Sequence, residues 1–264
     1  MSRPKRRLGQ HFLSDRQLLA RIADALGAGP ADTVLEIGPG PGALTAVLAE
    51  RAGRLVAIEK DRDLVPSLRA RFPAAVIVEA DALKADWHAL AGPRFLVAGN
   101  IPYNITSPLL DKALEPPRPE RIVFLVQKEV ADRVTAVAGK SAYGALSVGV
   151  QSVAAAERLF VIPAGAFRPR PKVDSAVLRL LPLAEPLVTA SEQPGFRRLV
   201  VGLFGFRRKQ LLRGLRELTG WDAARVGAAL AVAGIVSEAR PETLSPTRFA
   251  ILLRALVDGG WTGR

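Results

Sequence analysis

The stretch Gly99-Asn100-Ile101-Pro102-Tyr103-Asn104 carries side chains suited to chemistry on a planar amine. The chain has two asparagines and two tyrosines in 264 residues, and three of those four fall in this stretch. An exocyclic amine on adenine is a poor nucleophile because its lone pair is delocalised into the ring. The amide oxygen of Asn100 and a carbonyl held in place by Pro102 can accept its two hydrogens. That favours a pyramidal nitrogen and aims the lone pair at an electrophile. No strong base is needed, because the alkylated nitrogen becomes acidic and loses its proton to water. Tyr103 supplies a flat face on which a base can stack, worth about 1 to 3 kcal/mol. Such a base has to be flipped out or unpaired first. The competing reading is a purely structural turn, and Asn104 receives no role.

A donor for this chemistry is suggested by the segment before it. Val34-Leu35-Glu36-Ile37 reads as a strand, Gly38-Pro39-Gly40-Pro41-Gly42 as a turn and residues 43–51 as a helix. Glycine in such a turn lets a nucleoside approach the backbone and tolerates positive φ. The Gly-x-Gly-x-Gly spacing differs from the Gly-x-Gly-x-x-Gly of dinucleotide folds. By itself the turn is equally well a tight connection. The next strand, Leu55-Val56-Ala57-Ile58, ends on Glu59, 17 residues after Gly42, where a carboxylate can accept both hydroxyls of a ribose. Otherwise Glu59 is one more solvated acid of the cluster Glu59-Lys60-Asp61-Arg62-Asp63. Asp81, at the end of Val76-Ile77-Val78-Glu79-Ala80, either accepts from an adenine amine or caps the following turn. The Walker phosphate-binding pattern is absent, and the glycine turn has no lysine. S-adenosylmethionine therefore fits better than NAD or ATP: it has a ribose and an adenine but no phosphate.

These residues all sit where strands run out. Phe95-Leu96-Val97-Ala98 precedes the amine-handling stretch, and Ile122-Val123-Phe124-Leu125-Val126 runs into Gln127-Lys128-Glu129. Helical segments separate the strands, which predicts an α/β fold with a doubly wound, mainly parallel sheet. In such sheets ligands bind beyond the carboxyl ends of the strands. Ahead of the first strand come Gly9-Gln10-His11-Phe12-Leu13 and a helix capped by Ser14 or Asp15, with Leu18, Leu19, Ile22 and Leu26 on one face. Later strands are expected near residues 154–161 and over 173–181. Between them Phe167-Arg168-Pro169-Arg170-Pro171-Lys172 sets an aromatic among cations, which suits either a stacked base with its phosphate or a rigid surface turn. From residue 185 on, helical spacing alone is found, over 196–206, 210–218, 223–233 and 246–257. The reading is an S-adenosylmethionine-dependent domain over 1–184 and a small all-α domain over 185–264. Arg207, Arg208, Lys209, Arg213 and Arg216 form a basic helix face for RNA or a solvated one.

Composition narrows the partners. The formal charge is +12, from 37 basic and 25 acidic residues, with a pI near 10.9, which favours a polyanion such as nucleic acid. There is no cysteine and there are two histidines, His11 and His88, so thiolate zinc, iron–sulfur and cysteine-nucleophile chemistry are excluded and no metal is expected. The basic start, Met1-Ser2-Arg3-Pro4-Lys5-Arg6-Arg7, is followed by no apolar signal core, and no apolar run approaches membrane length. A cytoplasmic protein is expected.

With these motifs in place, the chain resembles the KsgA/RsmA family, the small-subunit ribosomal RNA adenine dimethyltransferases. The resemblance rests on Gly9 to Leu13, Glu36 to Gly42, Ile58-Glu59, Asp81-Ala82, Gly99 to Asn104, Gln127 to Val130 and Phe167 through Ser175, and it covers nearly the whole chain. It implies a Rossmann-like class I methyltransferase, acting as a monomer. The implied reaction transfers four methyls from S-adenosylmethionine to two adjacent adenosines in the hairpin near the 3′ end of 16S rRNA, within an assembling 30S subunit. By the same resemblance His11, Leu13, Gly38, Gly40, Glu59, Asp81 and Asn100 line the cofactor, while Asn100, Pro102, Tyr103 and Phe167 surround the target base. The family more often has Asn at the place of His11, Leu at that of Ile101 and Asn at that of Arg213. The related Erm group, which dimethylates 23S rRNA, shares the Asn-x-Pro-Tyr pattern, and a non-catalytic assembly or transcription factor of the same fold is the alternative from another class.

Overall fold

The short apolar runs 34–37, 55–58, 96–98 and 122–126 build strands buried on both faces, and the intervening amphipathic segments cover the sheet as helices. The computed structural model describes residues 9–263; the basic arm over residues 1–7 lies outside them. In chain order the strands and α-helices are β1 (Phe12–Leu13), α1 (Arg16–Leu26), β2 (Thr33–Ile37), α2 (Ala43–Ala49), β3 (Arg54–Glu59), α3 (Val65–Arg71), β4 (Val76–Glu79), α4 (Trp87–Ala91), β5 (Leu96–Asn100), α5 (Thr106–Ala113), β6 (Arg121–Gln127), α6 (Lys128–Thr135), α7 (Ala145–Gln151), β7 (Ala154–Ile162), β8 (Phe167–Arg168), β9 (Ser175–Pro182), α8 (Gln193–Gly205), α9 (Leu211–Thr219), α10 (Ala223–Val232) and α11 (Pro246–Asp258).

Two compact units are present. The first comprises the described residues up to Ala131 together with Ala156–Pro182. Its seven-stranded sheet has the order β4-β3-β2-β5-β6-β9-β7. Strands β2 to β6 run parallel, and β9 lies antiparallel to β6. The chain winds outward from β2 through β3 to β4 and then returns to β5, so the crevice between β2 and β5 is the switch point where α/β sheets bind ligands. Asp15 caps α1 by accepting from the Gln17 and Leu18 amides, and Leu19, Ile22 and Leu26 bury its apolar face. That face joins Val34, Leu55, Leu96, Val123 and Val177 in one core. A β-carbon on Gly99 would lie 2.5 Å from the Ile37 carbonyl oxygen. Glycine at this position lets β5 approach β2, and so places Asn100 beside the turn that follows β2.

The proline-rich loop is not free on the surface. Its first two residues form β8, which pairs antiparallel with β1 in the register Phe12 with Arg168 and Leu13 with Phe167.

The second unit comprises Asp132–Ala155 and the described residues from Leu183 on. Its helices begin at Pro or polar caps: Asp222 accepts from the Arg225 amide and Ser245 from the Arg248 amide. Phe196, Leu203, Leu215, Leu230, Phe249 and Leu256 are buried within it. The expected domain of residues 185–264 lacked the segment 132–155. That segment goes with the helices because Tyr143 is fully buried and donates to the Leu244 carbonyl at 2.6 Å, while the Gly139 amide donates to the Glu242 carbonyl at 2.7 Å. The basic face is also reduced. Residues 206–209 form the turn between α8 and α9, Arg207 donates to the Ser141 carbonyl and Lys209 pairs with Glu217 at 3.5 Å, leaving Arg208, Arg213 and Arg216 exposed.

Candidate active site

One cavity of the first unit opens at the carboxyl ends of the parallel strands. Residues 9–13, 36–41, 58–60, 80–82 and 100–105 line it, with Leu19, Ile22, Leu44 and Leu125 among its apolar walls. Of the residues singled out from the sequence, His11, Leu13, Gly38, Gly40, Glu59, Asp81, Asn100, Pro102 and Tyr103 are brought together here. Asn104 also reaches the wall.

The turn after β2 shapes the floor. Gly38, Gly40 and Gly42 all have positive φ, and a β-carbon on Gly38 would project into open space. The Gly40 amide donates to Glu59 Oε2 at 3.0 Å and the Asp61 amide to Oε1 at 2.7 Å. Each oxygen of Glu59 is thereby oriented and keeps one lone pair. Burial raises the pKa of Glu59 against the lowering effect of these donors. Asp81 accepts from Lys60 Nζ at 2.8 Å and from the Leu83 amide at 3.0 Å, and Lys60 holds its pKa below the usual range. Both readings of Asp81 are therefore compatible: it caps the turn and still lines the cavity. Among the described residues that line the cavity Lys60 is the one lysine or arginine, and it is paired with Asp81. Three acids, Glu36, Glu59 and Asp81, face that single lysine, which suits a cationic nucleoside. The residues fit a bound S-adenosylmethionine.

At the other end, Asn100 Nδ2 donates to the His11 carbonyl at 2.8 Å. A carbonyl only accepts, so the amide is fixed with its NH2 toward His11 and its Oδ1 turned away. The Pro102 carbonyl accepts from the Ile105 amide at 3.1 Å and from Thr106 Oγ1 at 3.4 Å, opening the turn into α5. Its lone pairs are thus engaged within the start of α5. The Ile101 carbonyl, fixed by the Pro102 ring that follows it, has no hydrogen-bond partner among the described residues. Tyr103 is half-buried, its hydroxyl shares a 2.8 Å hydrogen bond with Ser175 Oγ, and burial raises its pKa, so the phenol stays neutral. The His11 ring lies 5.6 Å from the Tyr103 ring, tilted by 31°, and His11 Nδ1 donates to the Pro169 carbonyl at 2.7 Å.

Phe167 is not brought to the cavity. It is 1% exposed, packed in the core beside Leu13, and its ring offers no face to a base in this arrangement. The loop contributes instead through Pro169, which anchors His11, and β9 through its first residue, Ser175, which anchors Tyr103. Sequence reasoning overlooked Glu36 as a site residue, although an acid inside an apolar strand was a visible signal. It had no means of finding Ser175 or the Pro169 carbonyl, whose partners lie far away in the chain.

Among the described residues no group of three or more His, Cys, Asp or Glu could hold a metal, and no helix is long and apolar enough to cross a membrane.

Known proteins resemble the chain over almost all of its length. The family described as "Ribosomal RNA adenine dimethylase" matches residues 1–246. A protein named "Ribosomal RNA small subunit methyltransferase A" from Geobacter metallireducens is 46% identical over 267 residues, 98% of this chain and 97% of its own. One of the same name from Synechococcus elongatus is 45% identical over 96% of this chain and 95% of its own. Of solved structures, a dimethyladenosine transferase from Plasmodium falciparum superposes with a TM-score of 0.81 at 25% identity, covering 95% of this chain and 99% of that one. The 23S rRNA methyltransferase ErmE superposes with a TM-score of 0.73 at 33% identity, covering 93% and 99%.

Proposed function

The chain belongs to the ribosomal RNA adenine dimethylase family, and from that premise we propose that it methylates N6 of two adjacent adenosines in the 3′-terminal hairpin of 16S rRNA, using S-adenosylmethionine, during assembly of the small subunit. It is an enzyme, a methyltransferase of ribosomal RNA adenine. The observation that carries the mechanism is the orientation of Asn100. Its NH2 is committed to the His11 carbonyl, so the oxygen is the group left for an incoming amine. The second acceptor is the carbonyl of Ile101, positioned by Pro102, since the carbonyl of Pro102 itself is engaged by α5.

Each residue then has a defined task. Asn100 Oδ1 and the Ile101 carbonyl accept the two N6 hydrogens and orient the lone pair. Tyr103 stacks on the flipped base while Ser175 holds its phenol in place. Glu59 receives the ribose hydroxyls on its remaining lone pairs, and Asp81 the adenine amine. His11 and Leu13 close the cavity through their backbone, held by the pairing of β1 with β8. When bound, the cofactor supplies an activated methyl on sulfur.

The choice of RNA rests on the relatives rather than on the site. Proteins named for the small subunit are 40–46% identical over nearly the full chain, against 33% for ErmE. Intact Gly38, Glu59 and Asn100 argue against a non-catalytic binder. The test is labelled S-adenosylmethionine with under-methylated 30S particles, 50S particles and naked 16S rRNA, with products mapped by primer-extension stops. Dimethyladenosine near the 16S 3′ end is expected; label confined to 50S, or none anywhere, would overturn the assignment.

A further inference from the structure

Three acids line the cavity, and their surroundings differ. Glu59 accepts two backbone amides, and Asp81 accepts a lysine and an amide. Glu36 lies inside β2, between Ala57 of β3 and Ala98 of β5 in the sheet register, and is 1% exposed. Its Oε2 is buried with no hydrogen-bond partner among the described residues, as is Thr45 Oγ1 of α2, the polar group that most favours its ionised form. The other faces give it little help. From β3 comes Glu59, a like charge, with the buried Asp61 beyond it; α1 presents Leu19 and Ile22, β5 presents Ala98, and Lys60 is taken by Asp81. His11 and Tyr103 are the titratable groups at the other end of the cavity.

A buried carboxylate with an unpartnered oxygen and a like charge beside it is costly, and although Thr45 favours the ionised form the neutral acid is the cheaper state. Burial, with Glu59 adding to it, pushes the Glu36 carboxyl up to about 8. Its pKa therefore lies where an added positive charge in the cavity decides the protonation state.

We infer that Glu36 reads the charge of the bound nucleoside: it is a neutral acid in the ligand-free cavity and gives up its proton when a cationic donor binds, so that donor binding and proton release are coupled. This rests on the S-adenosylmethionine reading above. That donor carries a sulfonium and an ammonium against one carboxylate, a net charge of plus one. S-adenosylhomocysteine lacks the sulfonium and is net neutral. The coupling thus favours the charged donor over its spent product, because only the donor brings the charge that compensates an ionised Glu36. The proton leaves to solvent, and no bond other than its O–H is broken.

The test is isothermal titration calorimetry of the full-length protein in buffers of different ionisation enthalpy, which counts protons exchanged on binding. At pH 7 the wild type is expected to release close to one proton with S-adenosylmethionine and distinctly fewer with S-adenosylhomocysteine. Donor affinity should rise toward about tenfold per pH unit below the pKa of Glu36. In Glu36→Gln the proton release should vanish, the pH dependence flatten and the preference for donor over product shrink. Equal proton counts in wild type and variant would overturn the inference while leaving the cofactor assignment standing; no binding of the donor at all would overturn both. Should the variant fail to fold, infrared difference spectra of the wild type decide. Donor binding should bleach a protonated-carboxyl C=O band, and its absence would refute the coupling.

Discussion

The side-chain amide of Asn100 and the backbone carbonyl of His11, 89 residues apart in sequence, are joined by a 2.8 Å hydrogen bond from Nδ2. This bond determines which atom of the amide meets the substrate. Rotating the amide would set two oxygens against each other, so the acceptor Oδ1 is preorganised before any substrate arrives.

Asn100→Ala removes that acceptor and the tie to His11 together. Loss of one well-placed group that acts on developing charge lowers turnover by about 10² to 10³. Single-turnover methyl transfer should show this drop, with particle binding measured by sedimentation unchanged. Wild-type turnover in the variant would refute the role given to the amide.

Tyr103 separates stacking from anchoring. Tyr103→Phe keeps the ring and loses the 2.8 Å hydrogen bond to Ser175, a change of about 1 kcal/mol in stability with little effect on transfer. Tyr103→Ala removes the stacking surface, worth about 1 to 3 kcal/mol, and should raise the KM for RNA by about five- to 150-fold. Denaturation curves and steady-state kinetics on both variants distinguish the two contributions.

Gly99→Ala places a β-carbon 2.5 Å from the Ile37 carbonyl oxygen in the centre of the sheet. Because that neighbour is backbone, β5 has to move, at about 1 to 3 kcal/mol. Urea denaturation should reveal the loss. Transfer should fall as well, since Asn100 moves with the strand, and an unchanged midpoint with full activity would contradict the close approach.

Glu36 predicts an unusual pH dependence for the ligand-free protein. Its folded pKa, about 8, lies above the ordinary value of 4.5. Between those limits the folded state holds a proton that the unfolded chain has released, so this group makes stability fall as pH rises, by at most about 1.4 kcal/mol per unit. Thermal denaturation from pH 5 to 8 should show the decline, reduced in Glu36→Gln, which should be the more stable protein at pH 8.

In the second unit Glu192 gives the opposite sign. Arg254 at 2.8 Å, with help from the Thr189 amide, holds its pKa down to about 2. The stabilisation is present above 4.5, the ordinary value, and is lost as pH falls toward 2. Half of the Arg254 side chain is exposed, so screening limits the effect to about 1 kcal/mol. Glu192→Gln should be destabilised by that amount at pH 7 and lose the difference in acid.

The sequence by itself determined the sheet and the positions of its functional ends. Apolar runs such as 34–37 and 122–126, and the residues on which they stop, Glu59, Asp81 and Asn100, are local signals, because burial on both faces of a parallel strand writes itself into consecutive residues. A parallel sheet then has to gather those ends at one edge. Tertiary structure alone decided the rest, since each remaining feature depends on residues with no local mark of their partner. The pairing of residues 12–13 with 167–168 buried Phe167 and turned the Pro169 carbonyl toward His11. Tyr143 drew residues 132–155 into the helical unit through a bond to Leu244. The start of α5 engaged the Pro102 carbonyl and left that of Ile101 without a hydrogen-bond partner among the described residues. Periodicity records that a side chain is buried, but not whether a buried polar atom finds a donor; for Glu36 only the folded neighbours, an alanine of the adjoining strand on either side, show that its Oε2 finds none among the described residues.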